Sequence, residues 1–260
     1  MMDEAAFAEL QAPAGWRVVD LVSDLHLQAS DSATLALWER YLADTPADAL
    51  FILGDLFEVW VGDDAANEPG SFESHCAGVL AAAARQRPIF FLHGNRDFLV
   101  GPGFAARAGL TLLAEPTVLA FAGRRWLLSH GDLLCLEDTD YLAFRAQVRS
   151  PGWQSAFLAR PLAERRTVAR QIRTQSEARK ADPRAVWADV DAGAARDWLR
   201  RADAPVLIHG HTHRPAEHDL GDGQARWVLS DWDAAAQPPR AEVLRLTADG
   251  PQRMALSAST

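Results

Sequence analysis

Side chains able to bind metal ions occur at five places along the chain, each at the end of an apolar run of strand type. The seven residues are Asp24, His26, Asp55, Asn95, His130, His211 and His213. Side chains two residues apart in an extended segment project to the same face, so Asp24 and His26 can reach one ion. Seven nitrogen and oxygen ligands without a thiolate are too many for a four-coordinate structural zinc site. They suit two ions such as Mn²⁺, Fe²⁺ or Zn²⁺.

Such a pair of ions has a defined chemistry. Two ions ~3.5–4 Å apart can share a carboxylate, turn water into a hydroxide nucleophile and clamp a phosphoryl group for in-line displacement. A serine or cysteine nucleophile is then not required. Any one of these histidines alone is more simply interpreted as structural, but their joint occurrence after successive strands outweighs that interpretation. The pattern therefore predicts a dinuclear metal centre that acts on phosphate.

The elements that must position these ligands are short strands and amphipathic helices. The apolar runs that precede the ligands end at Val22, Leu53, Leu92, Leu128 and Ile208. Helical spacing of apolar residues marks residues 32–43 and 72–87. Strands alternate with helices in the first half, and hairpins dominate the second half, which predicts an α/β fold of the mixed sandwich type. Glycines beside nearly every ligand allow tight turns and close backbone approach.

Composition limits the class of protein. The chain has 260 residues, 48% of them hydrophobic, which suits one substantial core or a core with an insert. Its net charge of −9 argues against nucleic acid as a partner. Its two distant cysteines, Cys76 and Cys135, suit a reducing cytosol and exclude a disulfide scaffold. The acidic N-terminus lacks signal-peptide features, and no apolar run approaches the ~18 residues of a spanning helix, so we expect a soluble or peripheral protein.

One segment has a different character from the rest, because it is helical and rich in arginine. Between Arg145 and Lys180 the sequence has nine basic and two acidic residues. The predicted division is a leader at residues 1–15, a core at 16–136 and 202–260, and a helical lid insert at 137–201. The alternative for the insert is a helix pair that packs on the core with a solvated basic face.

The series of motifs D-x-H, G-D, G-N-R-D, H-G-D and G-H-T-H resembles the calcineurin-like metallophosphoesterase superfamily over about residues 18–232. The resemblance implies a four-layer αββα sandwich and two divalent ions bridged by Asp55. One ion would be held by Asp24, His26, Asp55 and His213, and the other by Asp55, Asn95, His130 and His211.

The longer motifs are more specific. SDLHL, GDLFEVWVGDD, HGNRDFL, SHGDLLC and IHGHTHRP resemble the UDP-2,3-diacylglucosamine pyrophosphohydrolase family of lipid A biosynthesis. The insert shares the resemblance through AFRAQVRSP, FLARPL and RQIRTQS. It implies that water attacks the α-phosphorus of UDP-2,3-diacylglucosamine, giving UMP and 2,3-diacylglucosamine 1-phosphate (lipid X), with a metal-bound hydroxide as nucleophile and Mn²⁺ as the metal.

The resemblance also implies roles for residues outside the metal ligands. The expected catalytic residues are Asn95, Arg96 and Asp55, and Arg96 is suited to stabilising charge on the reacting phosphate. The expected substrate contacts are Asn95, Arg96, Asp138, Tyr141, Arg173, Ser176, Arg179, Lys180 and His211. Directly after Lys180 the chain departs from the family pattern, with Arg184 to Val190 in place of a lysine followed by I-M-D-V-N.

The basic, bulky insert suits a lid over an acylated substrate or an anionic membrane surface. We therefore expect a cytoplasmic protein, peripheral on the cytoplasmic face of the inner membrane, with no evident protein partner. We expect Asp97 to anchor the loop that aims Asn95.

Three alternatives follow from the same residues. A different metallophosphoesterase, such as a soluble phosphodiesterase or a phosphoprotein phosphatase, would hydrolyse small phosphate esters without acyl chains. A non-catalytic scaffold of this fold should have lost metal ligands, whereas all seven are present here. A nuclease is disfavoured by the net negative charge and by the lack of a basic groove outside the insert.

Overall fold

The computed structural model describes residues 7–180 and 188–257, with side chains described except at 175–180. The strands of these residues are β1 (Ala8–Gln11), β2 (Val19–Val22), β3 (Ala49–Leu53), β4 (Ile89–Leu92), β5 (Leu110–Leu112), β6 (Thr117–Phe121), β7 (Arg124–Leu128), β8 (Val206–His209), β9 (Ala216–Gly221), β10 (Gln224–Val228), β11 (Glu242–Thr247) and β12 (Gly250–Ala255). The α-helices described are α1 (Ser32–Asp44), α2 (Phe72–Ala84), α3 (Pro102–Ala108), α4 (Thr139–Val148), α5 (Pro151–Leu158), α6 (Leu162–Lys180) and α7 (Ala192–Ala202).

The strands form two six-stranded sheets. The first sheet has the order β12-β11-β2-β3-β4-β5, and the second has the order β1-β6-β7-β8-β10-β9. Strands β2, β3, β4 and β5 are parallel neighbours in the first sheet, and β7, β8 and β10 are parallel neighbours in the second. Each sheet therefore gathers the carboxyl ends of parallel strands at one edge, where open α/β sheets place their ligands.

Side chains of a strand point alternately to its two faces, so strand β3 contributes to two hydrophobic cores. In β3, Ala49, Phe51 and Leu53 pack between the two sheets, whereas Leu50 and Ile52 pack in the core that includes the first helices. All five are buried, so β3 reads as a continuous apolar run instead of an alternating one. Side chains of α1, α2 and α3 complete the core on the outer face of the first sheet.

Helix α7 covers the outer face of the second sheet. Its Ala195 and Leu199 pack in one cluster with Leu127 and Leu207 of that sheet. The layers are therefore helix, sheet, sheet and helix, the αββα sandwich that the sequence predicts. Apart from its last residue, helix α7 lies within the predicted insert at 137–201, and it forms an outer layer of the sandwich. Helical spacing reveals an apolar face but not the surface against which that face packs.

The expected leader differs from the structure. Ala8–Gln11 forms the edge strand β1, which pairs in parallel with β6 and places Ala8 opposite Thr117. Three of its four side chains are exposed, so its place in the sheet depends mainly on main-chain hydrogen bonds. A strand of that kind has no apolar pattern from which it could be predicted.

The three helices α4, α5 and α6 form the insert proper, and arginines join it to the core. Arg149 donates to the carbonyl of Gly94, and the buried Arg165 donates to the carbonyl of Val61 and pairs with Asp64. No helix within the described ranges is both long and apolar enough to cross a bilayer.

Candidate metal centre

The proposed ligands meet where the carboxyl ends of five strands converge. Asp24 and His26 follow β2, Asp55 follows β3, Asn95 follows β4, His130 follows β7, and His211 and His213 follow β8. Five of the seven have left-handed backbone angles, with φ of 55° at Asp24, 48° at His26, 52° at Asp55, 68° at His211 and 53° at His213. Such angles are rare outside glycine and cluster at functional sites, where the surrounding structure holds them.

One group of ligand atoms surrounds Asp24. Its Oδ1 lies 3.3 Å from His213 Nε2 and 3.9 Å from His26 Nε2. The two imidazole Nε2 atoms lie 3.2 Å apart, and His26 Nε2 lies 4.0 Å from Asp55 Oδ2. The atoms of Asp24, His26 and His213 are thus close enough together to bind one ion.

A second group lies on the other side of Asp55. His130 Nε2 lies 3.8 Å from Asp55 Oδ1 and 2.9 Å from Asn95 Oδ1. His211 Nδ1 lies 2.9 Å from the same Asn95 oxygen. The two carboxylate oxygens of Asp55 therefore face different ligand groups, which is the arrangement of a bridging ligand.

The chemistry of the donors fits divalent cations. His130 Nδ1 lies 2.9 Å from the carbonyl of Leu53, and because a carbonyl only accepts, Nδ1 is protonated and Nε2 is the nitrogen that would bind a metal on losing its proton. His26 Nδ1 lies 2.8 Å from Glu58 Oε2, an ion-pair contact without the alignment of a hydrogen bond, so its Nε2 is the nitrogen that faces the other ligands. Asp24 Oδ1 is buried and accepts no well-formed hydrogen bond from the described residues. A buried charged oxygen of this kind needs a counter-charge, which a metal ion would supply.

Electrostatics support the same conclusion. Burial disfavours the charged form of His130, yet the carboxylates of Asp55 and Asp24 raise its pKa to about 9. Burial favours the neutral form of Asp24 too, but the adjacent imidazole of His213 and the charge of His130 keep the pKa of Asp24 well below its usual range. Burial, and then the charge of His130, lower the pKa of His211 to about 3. The Asp24 carboxylate thus stays ionised and attracts cations.

Two glycines allow the ligand loops to approach each other. A Cβ at Gly94 would lie 2.0 Å from Asp55 Oδ1, and a Cβ at Gly210 would lie 1.9 Å from Ser23 Oγ and 2.2 Å from Asp24 Oδ2. Any side chain at either position would displace a ligand carboxylate or its neighbour. These contacts explain why glycine accompanies the ligands in the sequence.

Asp97 holds the ligand loops through hydrogen bonds from their backbone amides. This fully buried carboxylate accepts hydrogen bonds from the backbone amides of Leu56 at 2.7 Å, Gly94 at 2.9 Å, Asp55 at 3.3 Å and Phe57 at 3.4 Å. It therefore holds the loop after β3 as well as the loop after β4. The sequence predicts the second contact but gives no sign of the first.

The predicted substrate contacts lie in several environments. The ring of Tyr141 stacks on His211 with 5.9 Å between centroids, and its hydroxyl donates to Asp132. The Asp138 side chain accepts from the Tyr141 amide at 3.1 Å and caps the start of α4. Arg173 of α6 points to the core, with its Nε 3.5 Å from Glu58 Oε1. The side chains of Ser176, Arg179 and Lys180 lie outside the described residues.

Several residues that hold the centre are missed by sequence reasoning. Arg145 pairs with Asp132 at 2.7 Å and with Glu115 at 3.0 Å. Glu115 in turn accepts from the backbone amide of His130 at 2.7 Å. Asp132 stands in the H-G-D motif and could have been found there, whereas Glu115 lies in no motif. Basic residues of the insert thus serve partly to attach it to the core.

The fold and the centre define a class of protein. The family model described as calcineurin-like phosphoesterase matches residues 18–215, and the chain belongs to that family.

Relatives narrow the class. The chain is 47% identical over 225 residues to a protein of Chromobacterium violaceum named UDP-2,3-diacylglucosamine hydrolase, an alignment that covers 82% of this chain and 90% of the relative. It is 48% identical over 217 residues to a protein of the same name from Aromatoleum aromaticum, covering 81% and 87%. Wild-type Vps29 from Entamoeba histolytica, solved with Zn²⁺, matches with 14% identity, a TM-score of 0.48, and coverage of 92% and 99%. The chain is therefore a metal-dependent hydrolase of the same family as the two named relatives, as the motifs predict.

Proposed function

We propose that this chain hydrolyses the pyrophosphate of UDP-2,3-diacylglucosamine by attack of water on the α-phosphorus, releasing UMP and 2,3-diacylglucosamine 1-phosphate during lipid A biosynthesis. The observation that carries the proposal is the position of Asp55 between two groups of nitrogen and oxygen ligands. It is combined with the family to which the chain belongs, whose relatives are named for this substrate.

The roles of the residues follow from their contacts. Divalent ions in this centre supply Lewis-acid polarisation of a phosphoryl group and activation of water at neutral pH. His26 and His130 would bind through Nε2, because their Nδ1 atoms face Glu58 and the carbonyl of Leu53. Arg96 would stabilise charge on the reacting phosphate, since its Nε is buried and has no hydrogen-bond partner among the described residues.

Mn²⁺ is the metal that we propose for this centre. Carboxylate, amide and imidazole ligands without a thiolate suit Mn²⁺, although Fe²⁺ and Zn²⁺ bind the same donors. Metal analysis of protein purified without added metal tests the choice. Manganese at about two ions per chain, with activity restored best by Mn²⁺ after chelation, is expected, and zinc at that stoichiometry in an active enzyme would contradict it.

We also propose that the protein is cytoplasmic and binds the inner membrane peripherally through the insert. Of the four exposed large apolar side chains among described residues, Leu136, Phe144 and Leu158 lie in or beside the insert. Exposed apolar side chains beside arginines favour an anionic lipid surface. Co-flotation with anionic vesicles that is lost in Phe144→Ser/Leu158→Ser is expected, and equal flotation of that variant would contradict this surface.

Turnover of two substrates tests the activity itself. The proposed function predicts that kcat/KM for UDP-2,3-diacylglucosamine in detergent exceeds that for bis(4-nitrophenyl) phosphate by at least about 100-fold, because remote binding energy contributes to the transition state. Good turnover of the simple diester without turnover of the lipid nucleotide would keep the dinuclear centre and remove the lipid A assignment.

A further inference from the structure

We propose that Glu58 is a positioning residue that joins the metal ligand His26 to two arginines, Arg96 of the core and Arg173 of the insert. The inference deepens the proposed function and depends on it for the role of the arginines. Glu58 lies three residues after Asp55 and is 8% exposed. A buried carboxylate of this kind requires partners, and here its two oxygens have different ones.

One carboxylate oxygen of Glu58 contacts the metal ligand His26. Glu58 Oε2 lies 2.8 Å from His26 Nδ1, while His26 Nε2 faces Asp24, Asp55 and His213. A carboxylate on one ring nitrogen keeps the proton there, fixes the ring orientation and makes the other nitrogen a better ligand. Glu58 therefore determines how His26 presents Nε2 to an ion.

The other carboxylate oxygen of Glu58 contacts the two arginines. Glu58 Oε1 lies 3.5 Å from Arg96 Nη1 and 3.5 Å from Arg173 Nε. Arg173 belongs to α6 and also donates to Gln28 Oε1 at 3.3 Å, so this helix of the insert reaches the loop after β2. Both guanidinium groups are ion-paired at distances longer than a tight hydrogen bond. They are thus held beside the centre and still available to an anionic diphosphate.

The two functions of Glu58 can be separated by substitution. In Glu58→Gln, the amide oxygen can accept from His26 Nδ1, and the amide NH₂ then replaces Oε1. A donor would face two guanidinium groups and displace them, so this variant removes the arginine contacts and keeps the histidine contact. Glu58→Ala removes both contacts.

The first measurement is metal retention, because it does not depend on substrate. Full-length protein loaded with Mn²⁺ is titrated with a chelator, and bound manganese is measured. Glu58→Ala is expected to bind Mn²⁺ about 10- to 100-fold more weakly than the unmodified chain, and Glu58→Gln within about threefold of it. Glu39→Ala is the matched control, since Glu39 pairs with His75 at 2.6 Å on the exposed surface, and it should bind Mn²⁺ normally.

The second measurement separates KM from kcat at saturating Mn²⁺. Glu58→Gln is expected to raise KM for UDP-2,3-diacylglucosamine about tenfold, because the displaced Arg173 binds the diphosphate less well. It should also lower kcat about tenfold, because the displaced Arg96 stabilises charge on the reacting phosphate less well. Thermal unfolding of each variant checks that the fold is intact.

The outcomes distinguish this inference from the proposed function. Unchanged Mn²⁺ affinity in Glu58→Ala, or unchanged KM in Glu58→Gln, would overturn the role of Glu58. Absence of lipid nucleotide turnover in the unmodified chain would instead overturn the proposed function, and the chelator titration would still test the contact with His26.

Discussion

Replacing Asp97 with alanine is expected to weaken both folding and metal binding, because one buried carboxylate holds the loop that carries Asp55. The two shorter hydrogen bonds, from Leu56 and Gly94, measure 2.7 and 2.9 Å. Burial and the charge of Asp55 raise the pKa of Asp97 to about 7, so the carboxylate is ionised at pH 8.5, the pH chosen for the measurement. At about 1.5–2 kcal/mol for each bond to a charged acceptor, the two shorter bonds account for roughly 3–4 kcal/mol of unfolding free energy at that pH. The two longer bonds, at 3.3 and 3.4 Å, add little.

The matched control is Asp63→Ala. Asp63 also accepts from two backbone amides, those of Gly101 at 2.8 Å and Phe104 at 2.9 Å, but it holds none of the ligands. Its side chain is only half-buried, so water can replace part of the contact, and a loss of about 1–2 kcal/mol is expected.

Urea unfolding in chelator measures the first effect, and competition for Mn²⁺ against a chelator measures the second. Asp97→Ala should lower the free energy of unfolding and reduce Mn²⁺ affinity at least about tenfold, whereas Asp63→Ala should lower the free energy of unfolding alone. Equal Mn²⁺ affinity in the two variants would show that the Asp97 hydrogen bonds do not position Asp55.

Three further predictions concern arginines. Arg96→Ala should lower kcat about 10²- to 10³-fold at unchanged manganese content, which steady-state kinetics with metal analysis would measure. Loss of manganese in proportion to the loss of kcat would count against a role in charge stabilisation. Arg87→Ala should lower the free energy of unfolding in urea by about 2–3 kcal/mol with KM unchanged, because the buried Arg87 donates to three backbone carbonyls in the last turn of α1 and just after it. A cost below about 1 kcal/mol would contradict this role. Arg165→Ala should lower the free energy of unfolding by about 2–3 kcal/mol and speed proteolysis of the insert. The exposed pair of Arg166 with Glu68 should contribute under about 1 kcal/mol, so similar costs for Arg165→Ala and Arg166→Ala would refute the difference.

The ligands could be found from the sequence because local pattern and sheet geometry coincide. An apolar run predicts a buried strand, and polar residues at its end lie at the edge where parallel strands terminate together. Five of the ligands follow strands in this way, namely Asp24, Asp55, Asn95, His130 and His211. Residues that lie close together in space can therefore be recognised by their shared position just after a strand. The same alternation of elements predicts a mixed α/β sandwich, and the four αββα layers are what the resemblance to the family implies.

The supporting residues could not be found in this way, because their partners are distant in the chain and follow no period. Asp97 contacts amides about 40 residues earlier, and Glu115 supports the His130 amide from a loop without a motif. Glu58 stands three residues after Asp55 in a motif, but only the structure shows that Arg173 reaches it across 115 residues of chain. For a similar reason the sequence does not show that α7 packs on the second sheet, because its partners there are distant in the chain.

The most direct test of the proposed function is hydrolysis of UDP-2,3-diacylglucosamine in ¹⁸O-water, with and without Mn²⁺, followed by mass spectrometry of both products. We expect Mn²⁺-dependent turnover with one ¹⁸O atom in UMP and none in the lipid phosphate. Label in 2,3-diacylglucosamine 1-phosphate instead would place the attack on the other phosphorus and contradict the proposed reaction, and turnover that survives removal of all divalent metal would contradict the role of the centre around Asp55.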